Sequence, residues 1–226
     1  MKKSIKITLA IIFISFSIFL GKDKILAIPS IQNNDNQTRN NSNIITNLIL
    51  VNNDNKLDKT YKPKEIKIPS IPFINESTDE EKQMEGVAAK AIENLVEQAR
   101  NEGINFLGTS AYRSYQSQEK VYKSRIKSQG IKKANEYVAK PGESEHQTGL
   151  CIDVTNEDRW FVESTKEAMW LADNAHKFGF ILRYPKGKED VTGKSYEPWH
   201  IRYVGEKVAK EIYEQGLTLE EYIENE

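Results

Sequence analysis

Residues 149–155 read Gly-Leu-Cys-Ile-Asp-Val-Thr, an alternation with a period of two. That is the side-chain repeat of a strand, so Leu150, Ile152 and Val154 share one face while Cys151 and Asp153 share the other. A strand with one apolar face must be covered by something. The cover is predicted upstream, where Met84, Val87, Ala88, Ala91, Leu95 and Ala99 recur at helical spacing. A capping-box pattern at Thr78 and Glu81 precedes this helix, and Gly103 is placed to end it. Further strands are predicted over 48–51, 104–107, 180–184 and 199–204. A polar helix is predicted over 117–128, ending at Gly130. Another starts at a second capping pattern, Ser164 with Glu167, and runs through Trp170 and Leu171 to Gly179. Closing helices fall at 207–213 and 219–223, the second capped by Thr218 with Glu221. Residues 61–72 carry three prolines and should wander over the surface. The strands are hairpin-like or separated by irregular loops, not regularly alternating with helices. That favours an α+β fold, a small antiparallel sheet flanked by helices, over a doubly wound one.

With 226 residues the chain suits one ordinary domain. A net charge of -1 gives no electrostatic footprint for nucleic acid. The single cysteine, Cys151, excludes an intrachain disulfide. Lys2 and Lys3 lead into an apolar run over 5–20 interrupted only by Lys6. This reads as an export segment, with 1–27 either a cleaved signal peptide or an uncleaved membrane anchor. The charge-free stretch 7–21, at about 1.5 Å per residue, is short for a hydrocarbon core of about 30 Å. Ala27 is a candidate cleavage residue, although Lys22, Asp23 and Lys24 sit awkwardly before it. Residues 28–47 are crowded with asparagine and read as a disordered tether. The folded domain is then 48–226. It is expected outside the cytoplasmic membrane, on its extracellular face or in the wall, as a monomer touching the membrane only through its N-terminal segment.

Three residues of metal-ligand type stand out in this domain: His146, Asp153 and His200. Two imidazoles and one carboxylate leave a fourth position on zinc for water, the pattern of a catalytic site. Glu197 lies three residues before His200, and Pro198 places it on the loop leading into the strand. From there it could serve as the base for that water. The plain alternative is a surface turn acid and two unrelated histidines.

Ser144-x-His146-x-x-Gly149-x-x-x-Asp153, followed by Glu197-x-Trp199-His200, resembles the signature of VanY-type D-alanyl-D-alanine carboxypeptidases. These are zinc peptidases that trim peptidoglycan stem peptides, related to VanX dipeptidases and to L,D-carboxypeptidases. The likeness extends over roughly 48–226. It includes Leu50-Val51-Asn52 with Tyr61 and Pro63, Tyr112-Arg113-Ser114 with Gln118, 180–185, 199–205 and Leu219-Glu220-Glu221-Tyr222. The resemblance implies a single zinc-peptidase domain with one zinc per chain on His146, Asp153 and His200. It makes Glu197 the general base, and then the acid for the leaving amine. Arg113 would polarise the scissile carbonyl and stabilise the oxyanion. Gln118 and Ser144 would bind the terminal residue of the stem peptide. Trp199 reads as packing, and Gly149 as a point of close backbone approach. Two positions depart from the family pattern: Ala111 stands where glycine is frequent, and Cys151 where alanine is common. Cys151 is on Asp153's side of the strand but is read as a small core residue, because three ligands already suffice. His176 is read as a surface residue.

Three competing readings follow from the same residues. A cysteine peptidase built on Cys151 with His146 or His200 would leave Glu197 idle. Ser124-x-x-Lys127 suggests a serine enzyme, but the accompanying Ser-Asp-Asn and Lys-Thr-Gly elements are absent. A non-catalytic wall-binding module would be expected to have lost Glu197 or a ligand. Within the enzyme reading, release of D-Ala from a D-Ala-D-Ala end and from an L-centred tetrapeptide end require the same catalytic set.

Overall fold

The computed structural model describes residues 47–225. The segment read as signal or anchor, and nearly all of the segment read as a tether, lie outside the described residues. In chain order the elements are β1 (Ile66–Lys67), β2 (Met84–Glu85), α1 (Gly86–Asn101), β3 (Leu107–Ser110), α2 (Tyr115–Tyr137), β4 (Cys151–Thr155), α3 (Lys166–Asn174), β5 (Phe180–Leu182), α4 (Glu189–Thr192), β6 (His200–Tyr203), α5 (Glu206–Gln215) and α6 (Leu219–Glu224). Single 3-10 turns at Glu145–Thr148 and Ala175–Phe178 precede β4 and β5.

Four strands form one antiparallel sheet in the order β3-β4-β6-β5. The predicted alternation along β4 holds: Ile152 and Val154 are buried in the main core with Leu150. In that core α1 contributes Ala88, Ala89, Ile92, Leu95, Val96 and Ala99, and α3 contributes Ala168 and Leu171. Ile152, Ile201 and Leu182 form one row in register across β4, β6 and β5. Cys151, Arg202 and Ile181 form the adjacent row, which faces the opposite way. Ile181 joins a second cluster with Val208, Ala209 and Ile212 of α5 and with Leu219 and Tyr222 of α6. The sheet thus has an apolar face under α1 and a second face free to carry polar chemistry.

Several local expectations shift. The capping box at Thr78 forms, with Glu81 Oε2 accepting from Thr78 N at 3.0 Å and Thr78 Oγ1 accepting from Glu81 N at 3.2 Å. It closes an isolated turn, because Met84–Glu85 pair with Ile66–Lys67 before α1 starts at Gly86. Val87 is consequently exposed, and Ile92 and Val96 take up the core positions. β3 starts three residues later than predicted, since Ile104 and Phe106 pack inward before the ladder begins. The polar helix continues past Gly130, whose φ of 83° kinks two helical segments into each other. Thr165, not Ser164, caps α3. Residues 48–51 form no strand; Leu48 and Leu50 pack on the second cluster, and Val51 is buried. Among the described residues no helix is long and apolar enough to cross a membrane.

Candidate active site

The register of β4 with β6 sets Asp153 directly opposite His200, on the face away from α1. His200 Nδ1 lies 2.7 Å from Asp153 Oδ1. His146 arrives from a different element, the 3-10 turn Glu145–Thr148. Gly149 ends that turn in the left-handed region at φ 70° and swings the chain into β4. A Cβ on Gly149 would also meet Glu85 N and Pro63 Cγ at 3.1 Å. The expected close backbone approach is therefore real, and Glu85 N donates to Gly149 O at 2.8 Å.

Both imidazoles are held by their far nitrogens. His146 Nδ1 donates to the Ala111 carbonyl at 2.6 Å, which leaves Nε2 facing Asp153 Oδ2 at 3.4 Å. His200 Nε2 faces Glu145 Oε2 at 3.5 Å, which leaves Nδ1 toward Asp153. Two donors each about 2.0–2.1 Å from a tetrahedral ion lie roughly 3.4 Å apart, so the His146–Asp153 spacing is that of two ligands on one ion. The rings meet edge to face, with centroids 5.1 Å apart. Outward hydrogen bonds that fix the tautomer of each imidazole are the usual support of a metal site. The donor set, two imidazoles and one carboxylate, fits zinc.

Burial pushes the Asp153 carboxyl up, but the charges of His146 and His200 outweigh it and hold the group well below the usual carboxylate range. Burial and Arg113 push His146 down, yet Cys151 and Asp153 raise it to about 9. Cys151 is fully buried. One ligand atom each from His146, Cys151 and His200 lie within 4.8 Å of one another. Cys151 is buried, as the core reading expects, and it lies on the face of β4 opposite Ile152 and Val154.

The remaining predicted residues line one cavity of about 240 Å³ together with the histidines and Asp153. Glu197 sits on the loop before β6, its backbone N–H donating to Tyr184 O at 3.1 Å. Burial raises its carboxyl pKa and Asp153 adds to that, against the pull of His200 and Lys194. Arg113 follows β3, with its backbone N–H donating to His146 O at 3.1 Å. Gln118, on α2, is 2% exposed and donates to Ala139 O at 2.7 Å. Arg113 Nε and Gln118 Oε1 are buried and have no hydrogen-bond partner among the described residues. Unmet polar groups of this kind at a cavity are ready to receive a polar ligand. Ser144 is buried on the same cavity wall. Trp199, read as packing, packs against the main core and also lines the cavity. Outside this site, Ser124 and Lys127 are both exposed on α2. His176 is partly buried, not a free surface residue: its ring stacks on Tyr213 at 3.8 Å.

A buried ion network behind the site was not read from the sequence. Glu145, 1% exposed, accepts from Arg183 Nε and from Arg202 Nη1, each at 2.7 Å. Arg183 also donates two bonds to Glu220 of α6, at 2.8 and 2.6 Å. Arg202 Nη2 reaches the carbonyls of Asn47 and Ile49 at 3.0 and 2.8 Å. One signal was available: Arg202 is two residues beyond His200 on β6 and so shares its face.

An antiparallel sheet that gathers two imidazoles and a carboxylate, with a half-buried glutamate beside them, is the arrangement of a metallopeptidase. Comparison with known proteins makes the class specific. The family model for VanY, D-alanyl-D-alanine carboxypeptidase, matches residues 81–206, and the chain belongs to that family. YodJ of Bacillus subtilis, named as a carboxypeptidase, is 43% identical over 182 residues, covering 78% of this chain and 67% of its own. The solved structure of the LD-carboxypeptidase LdcB is 43% identical, with a TM-score of 0.74 over 79% of this chain and 86% of that one. A mutant of the vancomycin-resistance D,D-pentapeptidase VanY in complex with Zn(II) is 34% identical, with a TM-score of 0.66, covering 79% of this chain and 99% of that one.

Proposed function

We propose that this chain is a zinc-dependent carboxypeptidase that removes the C-terminal D-Ala from peptidoglycan stem peptides. The observation that carries this reading is the cavity itself. It joins the His146–Asp153–His200 cluster to Glu197 and to Arg113 and Gln118, two side chains with unmet hydrogen-bonding capacity. Zinc held by His146 Nε2, Asp153 and His200 Nδ1 would polarise the scissile carbonyl and acidify the attacking water. Glu197 takes a proton from that water on its carboxylate and returns it to the amine of the departing D-alanine. Arg113 offers a permanent positive charge to the oxygen that becomes negative as the carbonyl is attacked. Gln118 and Ser144 orient the terminal residue. The D-alanine-bearing substrates of the wall lie outside the membrane, which agrees with an exported protein whose 1–27 segment directs or anchors it.

A second reading, release of D-Ala from tetrapeptide stems, is favoured by the greater identity to LdcB, 43%, than to VanY, 34%. Penta- and tetrapeptide stems distinguish the two. In both, cleavage should require a free terminal carboxylate, because an amide would leave buried donors unpaired. Mass spectrometry of paired acid and amide peptides is expected to show loss of D-Ala from the acid only. Equal cleavage of both would overturn the exopeptidase reading.

A further inference from the structure

The geometry points to Cys151 as a fourth protein donor to the metal, giving this chain a His-Asp-His-Cys set in place of two imidazoles and a carboxylate alone. The inference rests on the metallopeptidase reading above and adds a ligand to it. Three observations carry it. The β4–β6 register puts Cys151 two rows from the Asp153–His200 pair and therefore on the same face, so its side chain points away from the apolar layer under α1. The residue is fully buried. One ring nitrogen of each histidine and the Cys151 sulfur all lie within 4.8 Å of one another. A thiolate about 2.3 Å and an imidazole about 2.0–2.1 Å from one tetrahedral ion are roughly 3.6 Å apart, so the three atoms are within about 1 Å of closing on a common ion.

The apolar alternative does not account for this placement. Leu150, Ile152 and Val154 occupy the main apolar core, and Cys151 is not a member of it. Its cross-strand partner is Arg202, a buried polar residue. A thiolate makes the donor set softer, favouring zinc and cobalt over manganese or magnesium. It would also occupy the fourth place that two imidazoles and a carboxylate leave open on zinc.

X-ray absorption at the zinc edge of the full chain loaded with one zinc tests this without any substitution. The expected result is one sulfur scatterer at about 2.3 Å beside the lighter ligands. A shell of nitrogen and oxygen alone would overturn the proposal and leave the zinc assignment standing. Failure to bind zinc would overturn both. Cobalt(II) supplies the second readout: the wild-type protein is expected to show a near-ultraviolet sulfur-to-cobalt absorption that Cys151→Ala lacks while still holding cobalt. Identical spectra for the two proteins would count against the cysteine ligand.

Discussion

Glu197→Ala is expected to lower turnover roughly 10²- to 10⁴-fold while keeping the zinc and the fold. The carboxylate lies three residues before His200 on the same cavity wall, and the proposed zinc would have its donors in His146, Asp153 and His200 without it. Its expected task is proton transfer, so its removal should leave metal content unchanged. The pH dependence has a definite sign. Burial raises the Glu197 pKa above the ordinary carboxylate value. The base form is therefore lost as pH falls through that raised value, and kcat/KM should fall on the acid side at a higher pH than an exposed glutamate would give. Arg113→Ala should lower turnover and retain this acid limb, because it removes charge stabilisation and not the base. Profiles of kcat/KM on a D-Ala-terminated peptide separate the two. Near-normal turnover or loss of zinc in Glu197→Ala would make Glu197 a bystander or a ligand.

Glu145→Gln is expected to cost about 3–5 kcal/mol of stability, because it breaks a buried ion pair and leaves the Arg202 guanidinium without a counter-charge. Arg183 retains Glu220, and Arg202 retains only neutral carbonyls. Burial alone would raise the Glu145 pKa, but Arg183 and then Arg202 hold it well below the ordinary range. A depressed carboxylate contributes stability that is present above its unfolded pKa and lost as pH falls toward the folded one. The wild-type protein should therefore lose this contribution in acid, and the variant should show a flatter profile there. Glu145 also faces His200 Nε2, so zinc affinity should fall roughly 10- to 100-fold as support for that ligand is lost. Denaturant unfolding against pH and competitive zinc titration read the two effects. Unchanged values in both would mean that the network neither braces the fold nor orients His200.

The metal-ligand candidates were legible because histidine is scarce and specific in chemistry, and because β4 alternates cleanly. The same alternation placed Cys151 on Asp153's side of the strand, although a set of three sufficient ligands argued for a core role. Element boundaries were less legible where tertiary packing intervened. Residues 48–51 have a strand's composition, but the Ile49 carbonyl is engaged by Arg202 and the leucines face α5 and α6. The start of α1 was misplaced because a genuine capping box closes a turn that β2 then interrupts. The Glu145–Arg183–Arg202–Glu220 network could not be read from spacing. Its members come from four separate elements, and a buried arginine in sequence looks like an exposed one. Arg113 and Gln118 were reached through family resemblance, since a lone arginine or glutamine carries no local signal.

The most direct test of the account is metal-dependent release of a single residue. Purified protein is stripped with a chelator, incubated with penta- and tetrapeptide stems, and then given one equivalent of zinc. Mass spectrometry is predicted to show intact peptide before zinc, then loss of one terminal D-Ala and no internal cleavage. D-Ala release by the stripped protein, or cleavage at an internal bond after zinc, would contradict the assignment.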